Sequence, residues 1–456
     1  MIRHMLIFGA NGDLALRYLL PALARLGEVG KLPKGFEISA LARAERDDDT
    51  FRTFVAGRLD DHATDVSTRA RRALVETIRY HRADSTDPDR IEEILGGSGE
   101  PVIAYLALPP AVFAPTIETL KVAGLPEGSR IVVEKPFGED LASARELNRL
   151  LGETFPEEDV FRVDHFLGLQ TVQNLLGLRF ANRIFEPLWN REHVERVEIV
   201  WEETLALEGR AGYYDEAGAL KDMIQNHLLQ LLCLVGMEPP VTLDEYDLRD
   251  RKAAVLRAVR RLSPEEIERA TVRARYSAGR IGEREIPTYA DEEGVRADRE
   301  TETFAEVALA IDNWRWSGVP FVLRTGKALA RDRAEISIRF RPVPHSAFGQ
   351  RKEPVPNVLR FLMDSDRILL SANINGPGDI FDLEQTELGA DLAPPELPAY
   401  GRLLLGVLEG DPTLSIRADE AEESWRIVEP ILEAWNRGAV PLLEYPAGSD
   451  GPEVRG

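Results

Sequence analysis

The chain has 456 residues, 44% hydrophobic, 29% charged and 7% aromatic, a composition that excludes a largely disordered polypeptide and leaves room for about two to four domains. Its 78 acidic residues outnumber 56 basic ones, giving a formal net charge of −22. Such a charge repels phosphate backbones and speaks against nucleic acid as a partner, and no apolar run approaches the ~20 residues of a membrane-spanning helix.

Residues 5–9 (Met-Leu-Ile-Phe-Gly) read as a buried strand that runs into a glycine turn. The apolar run at this end is too short for a secretory signal. From 14 to 26 the apolar spacing is helical, and strands are expected over 37–42, 102–106 and 130–133 with helical segments between them. Alternating β and α units specify a parallel, doubly wound sheet, so residues 1–162 are expected to form a Rossmann-like dinucleotide-binding α/β domain. Beyond residue 160 the pattern changes. Helices are expected near 169–178 and 216–235, among strand-like runs at 196–201, 302–311, 321–324, 336–340, 358–363 and 368–374. Consecutive strands without intervening helices predict a larger α+β domain over 163–456, with a mostly antiparallel sheet and helices. The charged stretch 283–299 reads as a surface loop. The tail from Tyr445, rich in Gly, Pro and acid, is expected to be poorly ordered. The one cysteine, Cys233, lies in Leu-Leu-Cys-Leu-Val and reads as a small core residue in a reducing compartment, with the cytoplasm as the expected location.

The turn Phe8-Gly-Ala-Asn-Gly-Asp-Leu-Ala15 follows a strand and opens a helix, the context a dinucleotide fingerprint needs. Gly9 permits the tight turn. Gly12 lets backbone approach a pyrophosphate, which then sits on the N–H groups of a helix start. An ordinary βα turn has the same residues, so the turn alone leaves both readings open. The second strand ends Ala40-Leu-Ala-Arg-Ala-Glu-Arg46. An arginine at this end suits the 2′-phosphate of NADP, whereas an acid suits the ribose of NAD. Arg43 is placed to clamp a phosphate, with Glu45 and Asp47–Asp49 opposing it, so NADP is the expected coenzyme with NAD as the second choice.

Further segments carry a resemblance. They are Tyr105-Leu-Ala-Leu-Pro-Pro110, Glu134-Lys-Pro-Phe-Gly138, Arg162-Val-Asp-His-Phe-Leu-Gly168, Glu208–Glu216 running to Asp222-Met-Ile-Gln-Asn-His227, Asn313–Phe321, and Arg324-Thr-Gly-Lys-Ala-Leu329. Together with the opening turn, in order and out to Ser424-Trp-Arg-Ile-Val-Glu-Pro430, they resemble the glucose-6-phosphate dehydrogenase family. The resemblance implies hydride transfer from C1 of a hexose to NADP or NAD, giving a 1,5-lactone, with no metal. It also implies a homodimer or homotetramer.

The resemblance implies roles residue by residue. His227 is the base that takes the C1 hydroxyl proton, and Asp164 is its carboxylate partner. The spacing of Leu220, Met223, Ile224, Leu228, Leu231, Leu232 and Val235 places His227 on an inward helical stripe, where most histidines are core residues. Lys135 precedes a proline expected to be cis and faces both coenzyme and sugar. His165, Glu203, Asp222 and Lys327 contact the sugar. Gly9, Asn11, Gly12, Asp13, Leu14, Arg43 and Ala107 hold the coenzyme. Lys135 and Lys327 are two of only eight lysines.

One segment departs from the family. Where the family has Asp-His-Tyr-Leu-Gly-Lys, with His, Tyr and Lys gripping a 6-phosphate, this chain has Asp164-His-Phe-Leu-Gly-Leu169. Loss of the lysine and the tyrosine hydroxyl removes about 2–4 kcal/mol of phosphate contact. Arg331 and Arg333 are candidate replacements. Two other readings follow: a C1 dehydrogenase of an unphosphorylated or C6-modified hexose, and a ligand-sensing paralogue without turnover. An intact set of Asp164, His227, Lys135 and Lys327 argues against the last.

Overall fold

Short apolar runs punctuated by Gly and Pro fold here into two compact units. The computed structural model describes residues 1–97, 99–209, 211–348 and 353–453. One unit comprises 1–169, 240–250 and 395–422, and the other 170–239, 251–394 and 423–456.

The first unit is built on six parallel strands: β1 (His4–Phe8), β2 (Glu37–Ala42), β3 (Ile78–Arg82), β4 (Val102–Leu106), β5 (Arg130–Glu134) and β6 (Val160–Val163). Their order is β3-β2-β1-β4-β5-β6, the doubly wound arrangement. Helices cover the sheet, so central β4 is buried at every residue and reads as an unbroken apolar run. Leu20, Leu23 and Leu26 of the helix Leu20–Glu28 pack with Met5, Ile7, Ile38 and Ile103. Truncating one such leucine to alanine costs about 2–5 kcal/mol. Strands β3 and β6 add to those expected. β3 buries Ile78 and Tyr80 and leaves Arg79 and Arg82 outside, the pattern of an edge strand.

Compaction divides the chain differently from the expected sequential cut after residue 162. Residues 163–169 stay with the first unit because the helix Ala399–Glu409 closes over them: a Cβ on Gly168 would lie 2.5 Å from the Ala399 carbonyl oxygen.

The second unit carries β7 (Val194–Glu202), β8 (Thr271–Ser277), a small hairpin of β9 (Gly279–Ile281) and β10 (Arg284–Ile286), β11 (Phe304–Ala310), β12 (Pro320–Gly326), β13 (Arg333–Phe340), β14 (Val358–Leu362), β15 (Arg367–Asn375), β16 (Leu383–Asp391) and β17 (Leu442–Pro446). Nine of them form one sheet, β16-β15-β14-β13-β7-β12-β11-β8-β17. The β7–β12 and β8–β17 pairs are parallel and the others antiparallel.

Three expectations for this unit need correction. The stretch 283–299 is not all surface loop: it opens with β10, and Ile286 and Tyr289 are buried. The tail does not fray at Tyr445: β17 pairs with β8, Tyr445 is fully buried, and its hydroxyl donates to the Lys327 carbonyl at 2.7 Å. The stretch 216–235 is not one regular helix. The helix Ala211–Ala219 contains Gly218 at φ +66°, a π-helical segment follows over Leu220–Leu228, and an α-helix runs over Leu229–Gly236. The cause is Glu302. Its Oε1 accepts from the Leu220 N–H at 2.9 Å and occupies the space a Cβ on Gly218 would need. A π turn widens the repeat, so Met223 is only half-buried while His227 is 1% exposed. Cys233 is buried, as expected. Among the described residues, no helix is long and apolar enough to cross a membrane.

Candidate active site

In the first unit one rule places the candidates. Gly9, Arg43, Ala107, Lys135 and Asp164 are each the first residue after a strand: β1, β2, β4, β5 and β6 respectively. The carboxyl edge of a doubly wound sheet is where such folds bind ligands. Gly9 has φ +79°, and a Cβ there would lie 2.2 Å from the Ala107 carbonyl oxygen. The turn and the segment after β4 therefore touch through bare backbone. Gly9 and Ala10 N–H groups donate to the Leu41 carbonyl at 3.0 and 3.1 Å, and the Gly12 N–H donates to the Gly9 carbonyl at 2.9 Å. Asn11, Asp13 and Leu14 complete the turn. Ala15, in place of a third glycine, is fully buried and opens a π-helical turn over Ala15–Leu19. This glycine cradle at a helix start suits a pyrophosphate.

The acids near Arg43 are occupied elsewhere. Glu45 pairs with Arg82 at 3.4 Å. Asp47 caps the helix Asp48–His62 by accepting from the Thr50 N–H at 2.8 Å. Asp48 accepts from the Tyr80 N–H at 2.6 Å, and Asp49 lies 3.8 Å from Arg52. Arg43 itself is exposed. Nearby, the Arg46 guanidinium stands 4.3 Å over the Phe54 ring. Each of these acids thus has a partner other than Arg43, while Asp84, beyond them in sequence, interacts with the Arg43 charge; an exposed guanidinium at this strand end fits a 2′-phosphate.

The Lys135–Pro136 bond is cis, as expected. Asp164 is 1% exposed and accepts from the Phe166 N–H at 2.9 Å, capping the turn His165–Gly168. The His165 ring stacks on Tyr400 at 5.4 Å between centroids, and Tyr400 stacks on Tyr18 at the same distance. Phe166 is buried, and Leu169 is half-buried.

The same placement holds in the second unit. Glu203 follows β7 and Lys327 follows β12, adjacent parallel strands paired at Glu202 and Gly326. The two side chains form an ion pair, Lys327 Nζ to Glu203 Oε2, at 2.6 Å. Lys327 also stands 5.2 Å over the buried Tyr214 ring. Burial, then the Asp222 and Glu302 charges, push the Tyr214 hydroxyl well above its usual range, so it remains a donor. Asp222 and His227 lie on the π-helical segment. The His227 N–H donates to Asn226 Oδ1 at 2.6 Å, and Asn226 Nδ2 donates to the Lys221 carbonyl at 2.9 Å. Of the candidate replacements for the missing lysine, Arg333 is engaged by Glu335 and lies 3.9 Å from Glu198, while Arg331 is exposed. Arg210 of the Glu208–Glu216 segment lies outside the described residues.

Sequence reasoning passed over Tyr214, Tyr400 and Glu134. Glu134 lies one residue past the strand expected over 130–133, where no local pattern signals a buried carboxylate. The other two reach their places through the fold, with no local signal.

Two family profiles match the chain: the glucose-6-phosphate dehydrogenase NAD binding domain over residues 6–174 and the glucose-6-phosphate dehydrogenase C-terminal domain over 176–455. The chain is 40% identical over 469 residues to the glucose-6-phosphate 1-dehydrogenase of Zymomonas mobilis, covering 99% of this chain and 96% of the relative. It is 41% identical over 467 residues to that of Mycolicibacterium smegmatis, covering 98% and 93%. Its fold superposes with a TM-score of 0.89 and 33% identity on a solved glucose-6-phosphate dehydrogenase in complex with its substrate glucose-6-phosphate, covering 99% of this chain and 96% of that one. The Mycobacterium avium enzyme gives 0.87 and 36%, covering 99% and 95%.

Proposed function

The chain belongs to the glucose-6-phosphate dehydrogenase family, and from that premise we propose that it oxidises C1 of glucose 6-phosphate to the 1,5-lactone with NADP as coenzyme. It is an oxidoreductase. The observation that carries the reading is the shared placement of Gly9, Arg43, Ala107, Lys135 and Asp164, each directly after a strand of the parallel sheet.

Bound NADP supplies the hydride acceptor. The chain's residues do the rest. Gly9, Asn11, Gly12, Asp13, Leu14 and Ala107 hold the pyrophosphate end, and Arg43 takes the 2′-phosphate. Glu203, Lys327, Asp222, His165 and Lys135 grip the sugar. As hydride leaves C1, the hydroxyl proton passes to the His227 imidazole, leaving the C1=O bond of the lactone. Asp164 stabilises the imidazolium. A homodimer or homotetramer is the assembly the family resemblance supports, and a reducing, cytoplasmic compartment fits the single buried cysteine.

Phe166 and Leu169 favour a second reading, oxidation of a hexose without the 6-phosphate. Initial rates with glucose 6-phosphate and glucose, each against NADP⁺ and NAD⁺, separate the two. The first reading requires a higher kcat/KM for the phosphorylated sugar. A higher value for glucose replaces it with the second.

A further inference from the structure

The mechanism leaves one buried acid unused. Glu134 ends β5, directly before Lys135, and is 7% exposed. The Tyr105 hydroxyl, from the end of neighbouring β4, donates to Glu134 Oε1 at 2.5 Å. Tyr105 is itself 1% exposed. This contact ties together two segments that each supply a site residue: Ala107, two residues after Tyr105, and Lys135, one residue after Glu134. We propose that Glu134 is a positioning residue whose proton, held or released, sets how firmly Lys135 engages the sugar. The inference rests on the reading of Lys135 as a sugar contact.

The groups facing Glu134 are Tyr105 from β4, Lys135 after β5, Asp164 after β6, and Tyr400 from the helix Ala399–Glu409. Burial pushes both phenols far above neutrality, and the Glu134 charge pushes them further, so they keep their protons. Glu134 behaves differently. Burial raises its carboxyl to about 7, reinforced by the Asp164 charge and opposed by the Tyr105 hydrogen bond and the Lys135 ammonium. Below that pH the acid is neutral and makes no claim on the Lys135 charge. Above it the carboxylate attracts the ammonium beside it and competes with the sugar for that charge. Sugar binding therefore weakens as pH rises through neutrality.

The test is calorimetric titration of glucose 6-phosphate into wild-type enzyme and Glu134→Gln from pH 6 to pH 8. Glutamine keeps the acceptor for Tyr105 and removes the titration. Ionisation of the sugar phosphate contributes equally to both proteins, so the readout is the ratio of their dissociation constants. We expect the wild-type value to rise at least about threefold relative to the variant across this range. A constant ratio overturns the inference. Tyr105→Phe gives an independent check, because losing a hydrogen bond to the carboxylate raises the Glu134 pKa. The wild-type rise should move to higher pH in that variant, and a move to lower pH or none overturns the inference. Lys135→Ala tests the underlying reading separately. An unchanged dissociation constant there removes Lys135 from the sugar site. A weakened one, alongside a constant ratio for Glu134→Gln, overturns only the role given to Glu134.

Discussion

Lys327 and Glu203 sit side by side as the residues that follow two adjacent parallel strands, and their side chains meet at 2.6 Å. The Glu203 N–H donates to the Gly326 carbonyl at 2.9 Å, so backbone holds the pair in register. Both side chains are only partly exposed, at 15% and 30%. An ammonium and a carboxylate fixed this way offer a donor and an acceptor, which on the proposed reading serve the sugar hydroxyls. Lys327→Met should raise the KM for the sugar by about tenfold or more, since one charge-assisted contact is worth about 1.5–3 kcal/mol. The coenzyme KM should change by less than about threefold. Steady-state kinetics with each substrate varied in turn decides it, and equal rises in both constants assign the pair a structural role instead.

The contact between Gly9 and Ala107 makes a sharper demand. Gly9→Ala places a Cβ against the Ala107 carbonyl oxygen at a backbone angle that costs an L-residue about 1–2 kcal/mol by itself. Thermal unfolding should fall by at least about 2 °C, and NADP⁺ binding should weaken with it. Retained stability together with retained coenzyme affinity contradicts the cradle.

Arg43 stands free of the competition its sequence neighbours suggested. Arg43→Ala should weaken NADP⁺ by about ten- to a hundredfold and leave NAD⁺ nearly unchanged, as expected for one charge-assisted phosphate contact. Fluorescence titration with both coenzymes reads this directly. Equal weakening of the two shows that Arg43 supports the loop and does not touch the phosphate.

Leu169 marks where the chain parts from its family's phosphate grip. Leu169→Lys should raise kcat/KM for glucose 6-phosphate by about tenfold or more and do nothing for glucose. An unchanged ratio between the two sugars shows that position 169 does not face the 6-substituent.

Much of this is legible in the sequence. The strand-then-glycine and strand-then-arginine junctions put Gly9 and Arg43 at strand ends, and the structure places both there; Lys135, reached only through the family motif, also directly follows a strand. What escaped did so for physical reasons. β16, with the sequence Leu-Glu-Gln-Thr-Glu-Leu-Gly-Ala-Asp, is exposed along nearly its whole length and shows no alternation of apolar and polar residues. β17 ends in Pro446 and borrows its stability from buried Tyr445 and from pairing with β8. The helix break that precedes the π turn is capped by the Glu302 carboxylate, more than 80 positions beyond Leu220 in the chain, so a 3.6-residue period could not reveal it. The period nevertheless predicted an inward histidine, because burial of that face tolerates the wider turn. The ion pair of Glu203 with Lys327 and the stacking of His165 on Tyr400 join residues more than a hundred positions apart, beyond any local pattern.

The central claim is that His227 removes the proton while hydride leaves C1, and one variant reads it most directly. His227→Asn keeps a polar group of similar reach and removes the base. Single-turnover rates of NADPH formation from glucose 6-phosphate should fall by about 10²–10⁴, the usual worth of a positioned general base, with NADP⁺ affinity unchanged. A variant that keeps more than about a tenth of the wild-type rate contradicts the account and makes His227 a core histidine.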